Sequence, residues 1–390
     1  MIVGVPKEIM AEEGRVALLP QQVAELSKRG YKVIVQSQAG VASLAQDSAY
    51  LEVGAEIVSD VRELYKKAQI ILKVKEPMFN ERVGEHEISM MREGTVLVTF
   101  LHPAAPANHS MVRQLCERGI TAFSMDTLPR ISRAQPMDAL TSMSTVAGYK
   151  ATIMAAYRLP KFVPMVGTAV GATQPASFLV VGLGVVGLQA VATAKRLGAV
   201  ISCFDIRAAA REAGRSLGAK DAGWDVPKEI AEGEGGYAKA LPPDWLKKEQ
   251  EALAPLARET DVIILCALVP GERAPVLITE DVVSSMKSGS IIIDVSIDQG
   301  GNCELTEGGK EHTRDNGVTI SGYKNIPGRM PALASMLYSK NICNFLLNLY
   351  KGNLDRMDLE DDISKGALVT HQGKILHRGT LKAMEGAKAK

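Results

Sequence analysis

The sequence is poor in aromatic residues, at 5%, with two tryptophans in 390 residues. It has almost no excess of either charge: 45 Lys and Arg against 44 Asp and Glu leave a net +1. That balance gives no nucleic-acid footprint and no polybasic membrane patch. Long apolar runs are missing too. The most hydrophobic stretch, Phe178 to Ala194, is broken by Gly182, Gly184 and Gly187 and carries Gln189 and Thr193. It reads as a strand plus a buried helix, and no membrane span is expected. The start, Met1-Ile2-Val3-Gly4-Val5-Pro6-Lys7, lacks a basic segment followed by an apolar one, so no secretory signal is expected. The five cysteines, Cys116, Cys203, Cys266, Cys303 and Cys343, show no Cys-x-x-Cys and no Cys/His metal spacing. They read as buried thiols in a reducing cytoplasm, with no metal site.

What is present suits two cores: 46% hydrophobic and 23% charged residues. The first third alternates strand-like runs (Ile2 to Val5, Val33 to Val35, Ile70 to Leu72, Thr95 to Phe100) with a short helix over Pro20 to Lys28. A second series follows at Phe178–Val181, Val200–Phe204, Val262–Cys266, Ile291–Asp294 and Val318–Ile320. Such β-α alternation predicts an α/β protein with two doubly wound, parallel-sheet, Rossmann-like domains. Between the series, Met143 to Tyr157 predicts a helix and Gly167 to Pro175 a loop. Near the end, Ile342, Phe345, Leu346 and Leu349 share one helix face, which predicts a helix returning to the first domain. The expected division is 1–138 plus 328–390, and 139–327. A hairpin turn is expected over Thr370 to Lys374, and a disordered Lys/Ala/Gly-rich end.

The chemistry starts at Val180-Val181-Gly182-Leu183-Gly184-Val185-Val186-Gly187. This is a GxGxxG run between a β-branched strand and a helix, followed by a second strand ending in Asp205. Gly182 permits the tight turn, Gly184 lets a pyrophosphate approach the backbone, and Gly187 lets helix and strand pack closely. The helix N-terminus offers free N–H groups to phosphate. Asp205 suits the ribose hydroxyls and favours NAD over NADP; Arg207 tempers that preference.

Elsewhere, Arg15, Lys75, His102 and Asp298 lie in or near strand ends and could serve an amino-acid dehydrogenase, with Arg15 pairing a carboxylate and the others handling protons. The plainer alternative is solvated charges and a satisfied histidine. His86, His109, His312, His371 and His377 are expected at the surface. The loop Arg130 to Asp138 places two arginines, a serine, a glutamine and an aspartate beside the inferred domain junction. Gln135 and Asp138 can satisfy the donor and acceptor of a nicotinamide carboxamide, and Arg130 can organise the loop. A salt-bridged linker is the alternative. Glu232 to Lys239 reads as a mobile lid carrying Tyr237, or as a plain flexible loop.

These motifs together resemble a known family. The runs Pro129-Arg130-Ile131-Ser132-Arg133-Ala134-Gln135 with Met137-Asp138, Gly182 to Gly187, Gly235-Gly236-Tyr237-Ala238-Lys239, Ala267-Leu268-Val269-Pro270-Gly271 and Gly300-Gly301-Asn302-Cys303 are similar to the NAD(H)-binding domain I of proton-translocating nicotinamide nucleotide transhydrogenase. Alanine dehydrogenases are its relatives, and Val74-Lys75-Glu76-Pro77, Leu101-His102 and Asp298-Gln299-Gly300-Gly301 look like theirs. The resemblance implies a homodimer that binds NAD(H) and docks on a separate NADP(H)-binding domain. It implies direct hydride transfer, coupled to proton translocation by a membrane part on other polypeptides. It places the chain in the cytoplasm, on the inner face of the inner membrane through those partners. The residues it implicates are Arg130, Ile131, Ser132, Arg133, Gln135 and Asp138 in the loop. For the nucleotide they are Gly182, Gly184, Val185, Gly187, Asp205, Ile206, Arg207, Gly236, Tyr237, Leu268 and a glutamine matched to Gln250. Arg130, Gln135 and Asp138 are the expected catalytic set. The alternatives are an NAD-dependent L-alanine dehydrogenase and a non-catalytic NAD-sensing module.

Overall fold

A computed structural model of the chain describes residues 1–233, 236–269 and 272–388. Gly235 of the glycine-rich segment, with Glu234 before it, and Pro270 and Gly271 of the run from Ala267 lie outside the described residues. The chain forms two compact units, Met1–Met143 with Gly328–Lys390, and Ser144–Pro327. Residue 138, where sequence reading ends the first unit, is followed at once by the unbroken helix Ala139–Arg158, whose first residues stay with that unit.

In the first unit the sheet order is Lys374–Ile375, Leu368–His371, Thr121–Ser124, Val96–Thr99, Ile70–Leu72, Ile2–Val5, Lys32–Gln36, Glu56–Val58. From Thr121–Ser124 to Glu56–Val58 the pairing is parallel. Leu368–His371 adds antiparallel at the edge and turns back through Gln372 and Gly373, both at positive φ, into Lys374–Ile375. The inner strands IIL, VLVT and TAFS are buried throughout, as a sheet covered on both faces requires. The helix Pro331–Tyr350 buries Ile342, Phe345, Leu346 and Leu349, and sets Phe345 edge-on to Phe123 at 5.5 Å. The end expected to be disordered is instead a helix, Arg378–Lys388. Its start is fixed by His377 Nδ1, which accepts the Thr380 N–H at 3.2 Å, and Met384 enters the core with Val369 and Ile375.

Under this sheet lies a fully buried ionic cluster. Lys73 Nζ stands 2.9 Å from Glu87 Oε1 and 3.3 Å from Glu8 Oε2. Tyr65 OH donates to Glu87, the Val74 N–H to Glu8, the Met78 N–H to Glu87, and Tyr338 OH to the Lys73 carbonyl. The cluster ties the segment after Ile2–Val5, the end of Ile70–Leu72 and the helix Pro331–Tyr350 into one body.

In the second unit the order is Lys220–Asp221, Val200–Phe204, Ser177–Val181, Val262–Leu265, Ile291–Asp294, Thr319–Ser321, Glu311–Thr313, parallel except for the last strand. Counted along the chain this is the 3-2-1-4-5 sequence of doubly wound dinucleotide folds. The stretch read as a loop after Gly167 is a small antiparallel hairpin, Val166–Thr168 with Gly171–Thr173. Thr168 Oγ1 closes it by donating to the Gly171 carbonyl at 2.7 Å, a bond that composition does not announce. Four cysteines are buried and Cys116 is half-buried; all are free. Among the described residues no helix is long and apolar enough to cross a membrane, and no group of three His, Cys, Asp or Glu could hold a metal.

Removing one partner of a buried ion pair strands the other charge. Lys73→Met is expected to cost about 3–5 kcal/mol of stability, read as a lower urea midpoint for the first unit. A midpoint equal to wild type would show that the cluster is not what holds these elements together.

Candidate functional site

The second unit builds its site on close backbone approach. Gly182 sits at φ +88, and a Cβ there would lie 2.6 Å from the Ala267 backbone nitrogen. A Cβ on Gly187 would collide with the Gly182 carbonyl oxygen, and one on Gly148 with the Val186 carbonyl. Gly184 is different: a Cβ there meets nothing within 4 Å, so its bareness leaves room above the helix end. The helix Val185–Arg196 starts at Gly184 with no side-chain cap. Its first-turn N–H groups, at Val185, Val186 and Gly187, have no intrahelical acceptor and point outward with the positive end of the helix dipole. These features fit a pyrophosphate at that turn.

Asp205 is buried at the end of Val200–Phe204. Its Oδ2 accepts the Leu183 N–H at 2.7 Å, which pins the glycine turn to the second strand. Arg207 takes what is left: its backbone N–H and Nε reach Oδ1 at 2.8 and 3.0 Å, and Nη2 reaches Oδ2 at 2.8 Å. Arg207 Nη1 also donates to the Gly236 carbonyl at 3.2 Å. A carboxylate offers about four acceptor positions, so a ribose hydroxyl reaches Asp205 when Arg207 gives way. Ile206 is buried behind this group. The segment read as a lid is held at its base: Glu232 bridges Ala238, and the Gly233 N–H donates to the Tyr237 carbonyl at 2.8 Å. Tyr237 is half-buried, not laid open.

Leu268, 37% exposed, stands on a loop held from below by Asn302. Asn302 is fully buried, accepts the Ala267 N–H at 3.0 Å and donates to the Ala267 and Pro275 carbonyls at 2.9 and 2.8 Å. Gly300 and Gly301 supply the positive φ that brings Asn302 there. Gln250 is half-buried, and its amide donates to the Val276 carbonyl at 2.8 Å. Glu249 beside it is buried on the same helix face as Leu253 and Ala257. That i, i+4, i+8 face is the signal in the sequence that selects Glu249.

In the first unit the Arg130–Asp138 loop is a tight helical turn, Ser132–Met137, with Ala134 and Met137 buried beneath it. The helix Pro331–Tyr350 holds it: Asn341 and Asn344 both donate to the Pro136 carbonyl, at 3.0 and 3.1 Å. Arg133 is a tether, 2.6 Å from Asp361 and 3.5 Å from Asn348. Burial pulls Asp361 up, but hydrogen bonds from Asn348 and Arg133 outweigh it and hold the acid at about 2. Asp138 caps the following helix: its Oδ1 accepts the Thr141 N–H at 2.8 Å and its Oδ2 the Thr141 hydroxyl at 2.6 Å. Arg130, Ile131, Ser132 and Gln135 are left exposed on a fixed backbone.

The four residues suited to a dehydrogenase separate. Arg15 is not a surface charge; it is 3% exposed and bonded through Nε to Glu13 at 2.7 Å. Asp298 is exposed in the second unit and accepts the Asn325 N–H at 3.3 Å. Lys75, half-buried, and His102 stand at adjacent strand ends of the first unit. His102 has φ +44, unusual for a non-glycine residue, and stacks flat on Phe100 at 5.8 Å. Its Nδ1 is 3.2 Å from Asp126 Oδ2, and Asp126 also accepts from Ser124 and from the Leu101 and His102 N–H groups. His109, expected at the surface, is buried, with Nε2 3.2 Å from the Ala104 carbonyl.

A helix N-terminus after a glycine turn, at the switch of a 3-2-1-4-5 sheet, defines a dinucleotide-binding class of protein. Residues 4–147 match the model of the alanine dehydrogenase/PNT N-terminal domain, and residues 151–378 that of the C-terminal domain. The chain belongs to the alanine dehydrogenase/PNT family. It is 44% identical to the first part of the NAD(P) transhydrogenase subunit alpha of Rhodospirillum rubrum, over 97% of this chain and 98% of that one. The solved transhydrogenase from Sinorhizobium meliloti superimposes with a TM-score of 0.82 at 36% identity, over 97% and 99% of the two chains. An L-alanine dehydrogenase structure superimposes with a TM-score of 0.80 at 27% identity, over 99% of each.

Burial opposes the charge on His102, but Asp126 outweighs it and raises the imidazole above its ordinary value; Asp126 falls to about 2. The raised His102 value means its share of stability is fully present below about pH 6.5 and is lost as pH rises through the folded value, while the share of Asp126 is present above about pH 4 and is lost as pH falls toward 2. An NMR titration should show His102 titrating above its ordinary value and above His86 and His377, which burial lowers, and Asp126→Asn should bring it down. An unmoved titration in the variant would contradict the pairing.

Proposed function

We propose that the chain is the NAD(H)-binding subunit of a proton-translocating NAD(P) transhydrogenase, passing hydride directly between its own NAD(H) and NADP(H) on a partner subunit. The observation that carries this reading is the Arg130–Asp138 loop: a polar run held rigid from below, with Gln135 exposed, on a chain that also has a dinucleotide fold. The 44% identity to a transhydrogenase alpha subunit supports it over alanine oxidation.

Bound NAD(H) supplies the hydride. The chain's residues bind and orient. The N–H groups at Val185 to Gly187 would hold the pyrophosphate, Asp205 would receive the adenosine ribose once Arg207 gives way, and Leu268 with Gly236 and Tyr237 would line the adenosine. Gln135 and Asp138 engage the nicotinamide carboxamide; Asp138 retains acceptor capacity beyond its cap. Arg130, Ile131 and Ser132 shape the loop surface, and Arg133 keeps it in place. Direct transfer needs two rings held in register, not an acid or a base. Membrane-embedded and NADP(H)-binding subunits supply proton translocation, and hold the chain at the cytoplasmic face of the inner membrane. A homodimer is supported by an exposed apolar stretch: Tyr157 at 81%, Phe162 at 56%, Met165 at 67% and Val170 at 98%.

Purified chain should bind NADH more tightly than NADPH in a fluorescence titration. It should form no NADH from L-alanine and NAD; such turnover, abolished by Lys75→Ala, would install the dehydrogenase reading. Gln135→Asn shortens the amide arm by one methylene. It should slow stopped-flow hydride transfer to the NADP(H)-binding subunit about a hundredfold, while NADH affinity stays within about 1.4 kcal/mol of wild type. Unchanged transfer would remove Gln135 from the reaction site.

A further inference from the structure

Glu249 has no part in the proposed hydride transfer. It lies on the helix Pro243–Glu259, whose buried face is Glu249, Leu253 and Ala257. Leu253 and Ala257 pack with Val181, Phe204 and Leu265, the last residues of three adjacent parallel strands. The helix leads into Val262–Leu265 as a crossover, so it runs antiparallel to the strands, and its N-terminal half lies at their C-terminal edge. One turn before Leu253, Glu249 therefore sits at the edge where the chain turns through Asp205. It is 6% exposed. The elements packed against this helix bring few charges: none on Ser177–Val181, Glu280 and Asp281 on the helix Glu280–Ser284, and Asp205 and Arg207 after Val200–Phe204. Of these, Asp205 acts on Glu249. Burial first, and the Asp205 carboxylate second, push Glu249 up to about 8.

We propose that Glu249 is a proton-linked specificity residue of the dinucleotide site: NAD(H) binds while Glu249 carries its proton beside the Asp205 carboxylate, so loss of that proton weakens binding. This rests on the reading that Asp205 receives the adenosine ribose. A neutral carboxyl can donate its O–H to a ribose hydroxyl or to Asp205. Covering the group with adenosine removes water and disfavours its charge further. An ionised Glu249 sets a second negative charge beside Asp205, which weakens NADH and repels a 2′-phosphate still more. Binding thus favours the protonated form, so affinity is full below the free-protein value and falls above it, with a proton taken up on binding.

The test is NADH and NADPH titration of the full chain from pH 6.5 to 9.5, with calorimetry in buffers of different ionisation enthalpy. Wild type should lose NADH affinity about tenfold between pH 7 and 9. It should take up roughly three quarters of a proton at pH 8.5 and lose NADPH affinity over the same pH range. Glu249→Gln, nearly isosteric, should bind NADH with a flat profile and without that proton. Equal profiles and equal proton uptake in both proteins would overturn the proposal. So would wild type taking up no proton, a result that does not depend on the variant folding. Asp205→Ala separates the two levels: NADH binding unchanged by that substitution would overturn the ribose reading itself.

Discussion

Close approach of backbone to backbone at the end of the strand Ser177–Val181 is the constraint on which the second unit depends. A Cβ on Gly182 would lie 2.6 Å from the Ala267 nitrogen, and the helix that starts there has no room for a side chain at its third residue. Glycine is the only solution at positions 182 and 187, and Gly148 extends it to the next helix. With the turn that tight, the first N–H groups of the helix Val185–Arg196 are presented at the sheet's C-terminal edge. Asp205 then locks the turn from the neighbouring strand through the Leu183 N–H. Asn302 fixes the Ala267 loop from the far side. Affinity for a dinucleotide follows from backbone geometry more than from any one side chain.

The first unit solves a different problem, that of holding a polar loop still. Asn341, Asn344 and Asn348 lie along one helix. The first two donate to the Pro136 carbonyl of the loop, while Arg133 closes it against Asn348 and Asp361. The buried Lys73 cluster anchors that same helix through Tyr338. On the proposed function, a loop so supported orients the ring without spending binding energy on its own ordering.

Much of this is legible in the sequence, because the signals are local. The apolar runs of the inner strands, the glycine spacing with Asp205 after it, and the returning helix face from Ile342 to Leu349 all declare themselves within a few residues. What is not legible depends on partners far away or on composition that misleads. Arg15 and His109 are buried because Glu13 and the Ala104 carbonyl satisfy them. The Lys/Ala/Gly end is helical because Met384 finds a core. The hairpin after Val166 depends on threonine hydroxyls in a stretch that reads as loop. Arg207 covering Asp205 cannot be read at all, and the burial of Glu249 shows only through the apolar helix face it shares with Leu253 and Ala257.

The proposed passage of hydride straight from one nicotinamide to another is tested most directly by isotope. NADH carrying deuterium at its transferable C4 position is mixed in ordinary water with this chain, the NADP(H)-binding subunit and NADP. Direct transfer predicts that the deuterium arrives in NADPH undiluted, one per turnover. Deuterium lost to water would mean that a protein acid or an intermediate acceptor handles the transfer, and would contradict it.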